Sequence, residues 1–193
     1  MFGVKTRASR LQLNTLANFV EVYLAKEGHN NPVGINYLEK LLTIYKKRFR
    51  EMSEAISLEM GAPKIGTAYE DIALEDMHGN YQKDKAIYFV VEHHGKVLGG
   101  GGVAQLDGSE KNTCELQKMY FLDGIRGKGL GASIIEKCMM KAKEFGFEQC
   151  YLETMPYMTA AQKLYKRNGF KNIDAPMGNT CHYSCDVWMI RKL

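Results

Sequence analysis

Arg126-Gly127-Lys128-Gly129-Leu130-Gly131-Ala132 separates an alternating segment, Cys114 to Phe121, from an amphipathic stretch, Leu130 to Phe145. Strand, glycine turn and helix start, in that order, build an anion site. Glycine reaches positive φ without a steric penalty and lets backbone approach a ligand closely. A helix that begins immediately afterwards offers unpaired N–H groups and the positive end of its dipole to a phosphate. Arg126 and Lys128 add charge beside it.

The rest of the chain bounds what such a site can serve. At 193 residues, 45% hydrophobic and 25% charged, the chain suits one soluble globular domain, or one with an appendage. It contains no apolar run of the ~18 residues that a membrane span needs, and no signal-peptide pattern opens it. Five cysteines (114, 138, 150, 181 and 185) are an odd number, several of them in apolar patterns, so reduced thiols in a cytoplasmic protein are expected. Cys181, His182 and Cys185 have no second ligand pair, and no metal is expected. The net charge of +4 sits entirely in residues 1–64, with 10 Lys+Arg against 6 Asp+Glu; residues 65–193 hold 16 of each. A neutral body around the glycine turn gives no support to nucleic-acid binding.

Taken in order, Phe2 to Thr6 reads as a weak strand. Two amphipathic helices follow, one from Ser9 to Gly28 and a longer one from Asn36 to Gly61, the second carrying Lys40, Lys46, Lys47, Arg48 and Arg50 off its apolar stripe. Such a helix packs by one face and leaves its charges in solvent, or presents them to an acidic partner. A short helical stretch is expected around Ala68 to Met77, then a polar turn from Asn80 to Lys85. Ile87 to Val91, Val97 to Leu106 and Cys114 to Phe121 read as consecutive strands. Gly99 to Gly102 inside the second point to a bulge or a close approach. After the central helix come a strand at Gln149 to Thr154 and a short helix opened by Thr159-x-x-Gln162. Strands at Phe170 to Ile173 and His182 to Ile190 end the chain. On simple alternation Glu115, Gln117, Met119 and Phe121 share one face.

Gly127-x-Gly129-x-x-Ala132 also fits a loose dinucleotide fingerprint, with Glu153 about twenty residues on. That fingerprint normally opens a doubly wound parallel sheet. Here hairpin strands precede it and too few residues follow it.

Arg126-x-x-Gly129-x-Gly131 and its preceding strand resemble instead the acetyl-CoA pyrophosphate loop of the GNAT N-acetyltransferase superfamily. Ala161-Gln162-Lys163-Leu164-Tyr165-Lys166-Arg167-Asn168-Gly169-Phe170 resembles the Ala-x-x-Leu-Tyr-x-x-x-Gly-Phe segment of the same superfamily. The resemblance covers about residues 65–193 and implies an α/β (α+β) fold with a mixed, mostly antiparallel sheet and flanking helices. It implies acetyl-CoA as co-substrate, with the backbone of Met119, Tyr120 and Phe121 along the pantetheine arm. Arg126, Gly127, Lys128, Gly129, Leu130, Gly131 and Ala132 would hold the pyrophosphate, and Tyr165 would be the general acid. Glu115 and Glu153 stand where different subsets of relatives carry a general base. Met158 stands where relatives often have an Asn that contacts the cofactor.

The chemistry suits these residue types. An ammonium of pKa ~10 must lose a proton before its nitrogen attacks a thioester, and a glutamate can accept that proton. No nucleophilic side chain is needed, so Cys114 and Cys150 read as core thiols. Tyr157, Asn179, His182 and Tyr183 are loop residues suited to line the acceptor site. The acceptor is expected to be a small molecule or peptide with a primary amine, with no nucleic acid and no membrane as partner.

The N-terminal segment, 1–64, is a basic helical appendage to the 65–193 domain on this reading. Residues 39–64 resemble a helix of aldehyde dehydrogenases, without any catalytic segment of that family. Should the first sheet strand be missing, a second chain could complete the acceptor wall as a homodimer. A non-catalytic acyl-CoA-binding module with a basic partner-binding segment is the alternative reading.

Overall fold

The computed structural model describes residues 50–56, 58–59, 61, 74, 76–93, 96–109, 112–180 and 184–193. The strand expected at Phe2 to Thr6, the first helix and most of the Ala68 to Met77 stretch lie outside these residues. The second helix is described from residue 50: residues 50–56 and 58–59 are helical (α1). A short helix, Met77–Asn80 (α2), follows where the expectation placed the start of a turn. Among the described residues, no helix is long and apolar enough to cross a membrane.

Among the described residues, six strands form one sheet: β1 Ile87–His93, β2 Lys96–Gln105, β3 Thr113–Phe121, β4 Gln149–Thr154, β5 Lys171–Ile173 and β6 Val187–Lys192. Their order is β1-β2-β3-β4-β6-β5. All neighbours are antiparallel except β3 and β4, so the sheet is mixed and mostly antiparallel, not doubly wound. The last strand begins at Val187, five residues later than the sequence suggested, because Thr154 at the end of β4 pairs with Val187. Beyond that pair β6 has no strand to join.

Two helices, α3 (Leu130–Glu144) and α4 (Thr159–Arg167), pack on one face. The core there joins Ile134, Ile135, Cys138 and Met139 of α3 and Tyr165 of α4 to Phe89, Val91, Val103, Cys114 and Leu116. On the other face Met52 and Ile56 of α1, with Met77 and Tyr81, cover Tyr88 and Ala86. Each buried aliphatic or aromatic side chain contributes about 1.5–3 kcal/mol by leaving water. The sheet is therefore the middle of three layers.

The four glycines of β2 have a packing cause. A Cβ on Gly99 would meet the Tyr120 carbonyl at 2.6 Å and Phe121 at 2.8 Å. On Gly101 it would collide with the Met119 sulfur, and on Gly100 and Gly102 with the ring of Tyr88. Removing these side chains lets aromatic and thioether groups of β1 and β3 lie flat across β2 from both faces.

Opposite them β3 carries a bulge. Gly102 pairs with Gln117 but Gly100 pairs with Tyr120, so two residues of β3 face one of β2. Lys118 adopts φ 53°, a left-handed conformation uncommon outside glycine. The Tyr88 hydroxyl donates to the Lys118 carbonyl at 2.7 Å across the space that Gly100 leaves open, which fixes the bulge. This corrects the alternation expected from sequence. Cys114, Leu116, Met119 and Phe121 belong to the α3/α4 face and Tyr120 to the α1 face. Glu115 and Gln117 therefore do not share a face with Met119 and Phe121.

Candidate active site

β3 and β4 pair at only three positions: Thr113 with Gln149, Cys114 with Cys150 and Glu115 with Tyr151. Past Glu115, β3 pairs with β2 alone, and past Tyr151, β4 pairs with β6 alone. Among the described residues the sheet thus splits between its two central strands, and Leu116 to Phe121 ladder with β2 on one side only. An extended ligand can lie along such an edge and take the backbone groups that a neighbouring strand would have used.

The glycine loop lies at the end of β3. A 3-10 turn, Asp123–Ile125, leads to Gly127 at φ 73° and Gly129 at φ 77°, and α3 begins at Leu130. Gly129 caps the helix with its backbone alone, and no side chain closes the N-terminus. Gly131 allows α3 to approach α4, since a Cβ there would sit 2.8 Å from Leu164. The Lys128 ammonium donates to the Gly124 carbonyl at 2.8 Å, which draws it across the loop. Arg126 donates from Nε to the Phe121 carbonyl at 2.8 Å, and its two outer nitrogens donate to Glu59 of α1. Backbone shape, open helix terminus and two cations fit a polyphosphate.

Tyr165 points into the α3/α4 face, 7% exposed, with its ring edge-on to Phe170 at 6.1 Å. Burial pushes its phenol up to about 12, so it holds its proton at neutral pH. Glu115 is 5% exposed and lies on the opposite face. Gln117 donates from Nε2 to Glu115 Oε2 at 2.6 Å, and the Tyr81 hydroxyl donates to Gln117 Oε1 at 2.9 Å. Glu153 shares that face, being two residues beyond Tyr151, the register partner of Glu115. Its Oε1 accepts from the Tyr151 hydroxyl at 2.6 Å and its Oε2 from the Thr180 hydroxyl at 2.9 Å. Burial, then the bond to Glu153, drives the Tyr151 phenol far above its ordinary value.

A cavity of about 480 Å³ opens on this face, lined by Glu115, Gln117, Tyr81, Lys118, Asn179 and Thr180 among others. Of the four expected acceptor-site residues, Asn179 lines it. Tyr157 does not; it is 47% exposed and lies near Cys185. His182 and Tyr183 lie outside the described residues. Cys185 has its thiol pushed up to about 12 by burial and then by the negative charges of Glu153, Asp186 and Glu115. Buried Cys138 and Cys150 are likewise raised, chiefly by desolvation, and are poor nucleophiles. Met158 precedes α4 and receives the Thr154 hydroxyl at its sulfur, 3.6 Å away.

Sequence reasoning missed Tyr81, Tyr151, Thr180 and Glu59. Tyr151 bonds Glu153 two residues along the same strand; Tyr81, Thr180 and Glu59 meet partners 27 to 67 residues away, which no local pattern announces.

A mixed sheet split at its one parallel pair, with a glycine loop feeding a helix at the mouth of the split, defines an N-acyltransferase class. The chain belongs to the Acetyltransferase (GNAT) family, whose sequence pattern matches residues 38–170. It is 46% identical over 128 residues to the uncharacterized N-acetyltransferase YjgM of Escherichia coli K12, covering 66% of this chain and 77% of that one. An acetyltransferase of the GNAT family from Staphylococcus aureus Mu50 has the same fold, with a TM-score of 0.68 at 25% identity over 77% of this chain and 92% of that one. PaiA N-acetyltransferase of Thermoplasma acidophilum, solved in complex with coenzyme A, gives a TM-score of 0.54 at 18% identity over 95% and 96% of the two chains. The protein is an acyltransferase enzyme of the N-acetyltransferase type. The family pattern runs through residues 39–64, so the likeness of that segment to an aldehyde dehydrogenase helix is not borne out.

Proposed function

We propose that the enzyme transfers the acetyl group of acetyl-CoA to a primary amine by direct attack, with Glu115 as general base and Tyr165 as general acid. The observation that carries this reading is the split between β3 and β4, with Glu115 at its base on one face and Tyr165 packed on the other. The pyrophosphate rests on the loop from Arg126 to Ala132, and the pantetheine arm runs along Met119 to Phe121 so that the thioester lies in the gap. The amine enters from the cavity beside Glu115. Glu115 takes a proton from the ammonium, directly or through water, and the freed nitrogen attacks the thioester carbon. Backbone N–H groups of the open β3 edge stabilise the oxyanion. The C–S bond then breaks, and the departing thiolate takes the proton of the Tyr165 hydroxyl. The attacking nitrogen sheds its second proton through water to the tyrosinate, restoring Tyr165, and Glu115 releases its proton to solvent, giving the amide and free coenzyme A.

Glu115 is preferred over Glu153 because it lines the cavity beside the split, which Glu153 does not. The CoA complex of the Thermoplasma relative agrees with the choice of co-substrate. Thiol release from acetyl-CoA, measured with a panel of primary amines, tests the reading. Turnover that needs both an amine and Glu115 supports it. Binding of acetyl-CoA with no thiol release from any amine, or full activity in Glu115→Gln, rejects it.

A further inference from the structure

We infer that Gln117 and Tyr81 form a positioning relay for Glu115, holding its carboxylate in one orientation at the cavity and in its ionised form. The inference rests on the assignment of Glu115 as base, but the geometry behind it is separate. A carboxylate can only accept, so it demands the NH2 side of the Gln117 amide, and the 2.6 Å contact from Nε2 to Oε2 is of the short, charge-assisted kind. The amide oxygen is then turned towards Tyr81, whose hydroxyl must donate to it, as the 2.9 Å bond requires. The direction of every proton in the chain follows from the charge at its end.

Both relay residues are placed by the wider fold. Tyr81 is 4% exposed and packs against Tyr88 with ring centroids 5.1 Å apart. Tyr88 in turn holds the β3 bulge through Lys118. Gln117 is the last residue of β3 before that bulge, which keeps it on the face of Glu115 while Met119 turns to the other. All three relay members line the same cavity, so a bound amine meets a carboxylate already oriented by its bond from Gln117.

Other ionisable groups face Glu115. Tyr151, Glu153 and buried Cys150 lie on β4, and Cys185 precedes β6. Lys118, Lys83 and Asp84 line the cavity around it. All of these residues remain in place in the Gln117 and Tyr81 variants. A change in Glu115 titration in those variants therefore reports the relay.

The experiment is a 13C-NMR titration of side-chain carboxyls in the full chain, with the Glu115 resonance assigned by its loss in Glu115→Gln. Loss of one charge-assisted donor in Gln117→Met is expected to raise the Glu115 pKa by about one unit. Tyr81→Phe, which keeps the ring and its packing, is expected to raise it by less. The acid limb of kcat/KM moves to higher pH by the same amounts, since the base ionises later. A purely structural role would lower the melting temperature and the plateau rate without moving the limb. An unmoved Glu115 pKa in both variants overturns the relay, and Tyr81→Phe decides if Gln117→Met fails to fold. A shifted titration with full turnover in Glu115→Gln would instead retain the relay and reject Glu115 as the base.

Discussion

Arg126 donates from both outer nitrogens of its guanidinium to the carboxylate of Glu59, which lies 67 residues earlier, on α1. The pair joins the glycine loop to a helix that packs on the opposite face of the sheet. A carboxylate and a phosphate oxygen ask for the same planar fork of donors. Glu59 thus holds the position on Arg126 that a pyrophosphate would use, and the Arg126 side chain lowers the Glu59 pKa mainly through this hydrogen bond.

Glu59→Gln is therefore expected to bind acetyl-CoA several-fold more tightly at low salt, with the gain shrinking as salt rises. Calorimetric titration at two ionic strengths checks it. Unchanged or weaker binding would mean that Arg126 serves as a clamp for α1 and leaves phosphate recognition to the loop backbone. Because the folded pKa of Glu59 is depressed, the tie to α1 is present above the ordinary carboxylate range and is lost as pH falls below about 4.5.

Tyr165→Phe removes the proposed proton donor but keeps the packing against Phe170. A general acid contributes typically 10²–10⁴-fold, so kcat is expected to fall by about 10²-fold with KM little changed. The pH profile gives a second check. With the phenol pushed up to about 12, the donor stays protonated through neutral and mildly alkaline pH, so no loss of rate below pH 10 belongs to it. The same raised value means that its contribution to stability is complete below pH 10 and fades as pH rises towards 12. Wild-type protein should therefore lose stability relative to Tyr165→Phe between pH 10 and 12 in alkaline denaturation. A rate limb near pH 8 that vanishes in Tyr165→Phe would contradict this environment.

Most of the chain from Ile87 onward was legible in its sequence, because period-2 and period-3.6 patterns report burial that is local in sequence. Gln149–Thr154 is the strand its composition describes, and α3 starts and ends within a residue of the expected bounds. The face of β3 was not legible. Nothing in Thr113 to Phe121 marks Lys118 as a bulge residue; its cause lies in Tyr88 and the missing side chain at Gly100, both on other strands. One inserted residue reversed the side on which Met119 and Phe121 were expected relative to Glu115. The strand that carries Glu115 and the helix that carries Tyr165 were legible, while their roles were read from resemblance alone. Gln117 and Tyr151 reach Glu115 and Glu153 from two residues away on the same strand, whereas Tyr81 and Thr180 come from distant segments that no local pattern joins to them.

Gly100→Ala tests the account of the glycine strand. Its new methyl group would meet the Phe89 carbonyl and the Tyr88 ring, and it would press on the hydroxyl that holds Lys118. Overpacking of this kind costs about 1–3 kcal/mol, read as a lower urea midpoint with an unchanged slope. Activity should fall further than stability alone accounts for, because the bulge sets the direction of the β3 edge. Wild-type stability in Gly100→Ala would show that β2 tolerates side chains on that face.

Glu153 and Thr180 offer the sharpest separation of roles. The Thr180 hydroxyl and the Tyr151 hydroxyl bind opposite oxygens of Glu153, and the Tyr151 hydroxyl accepts the Met177 N–H at 3.2 Å. These bonds tie residues 177–180 to β4, and Asn179 and Thr180 form part of the cavity wall. Thr180→Val keeps the shape but strands one carboxylate oxygen, which costs about 1–3 kcal/mol when the acceptor is charged and partly buried. The loosened wall should raise KM for the amine severalfold while kcat holds. Glu115→Gln should do the reverse, lowering kcat by about 10²-fold or more with a smaller change in KM, because it removes the proton acceptor of the chemical step. Steady-state kinetics on one productive amine measures both. If Thr180→Val lowers kcat as deeply as Glu115→Gln does, then Glu153 is a participant in proton transfer and the 177–180 loop is part of the catalytic apparatus.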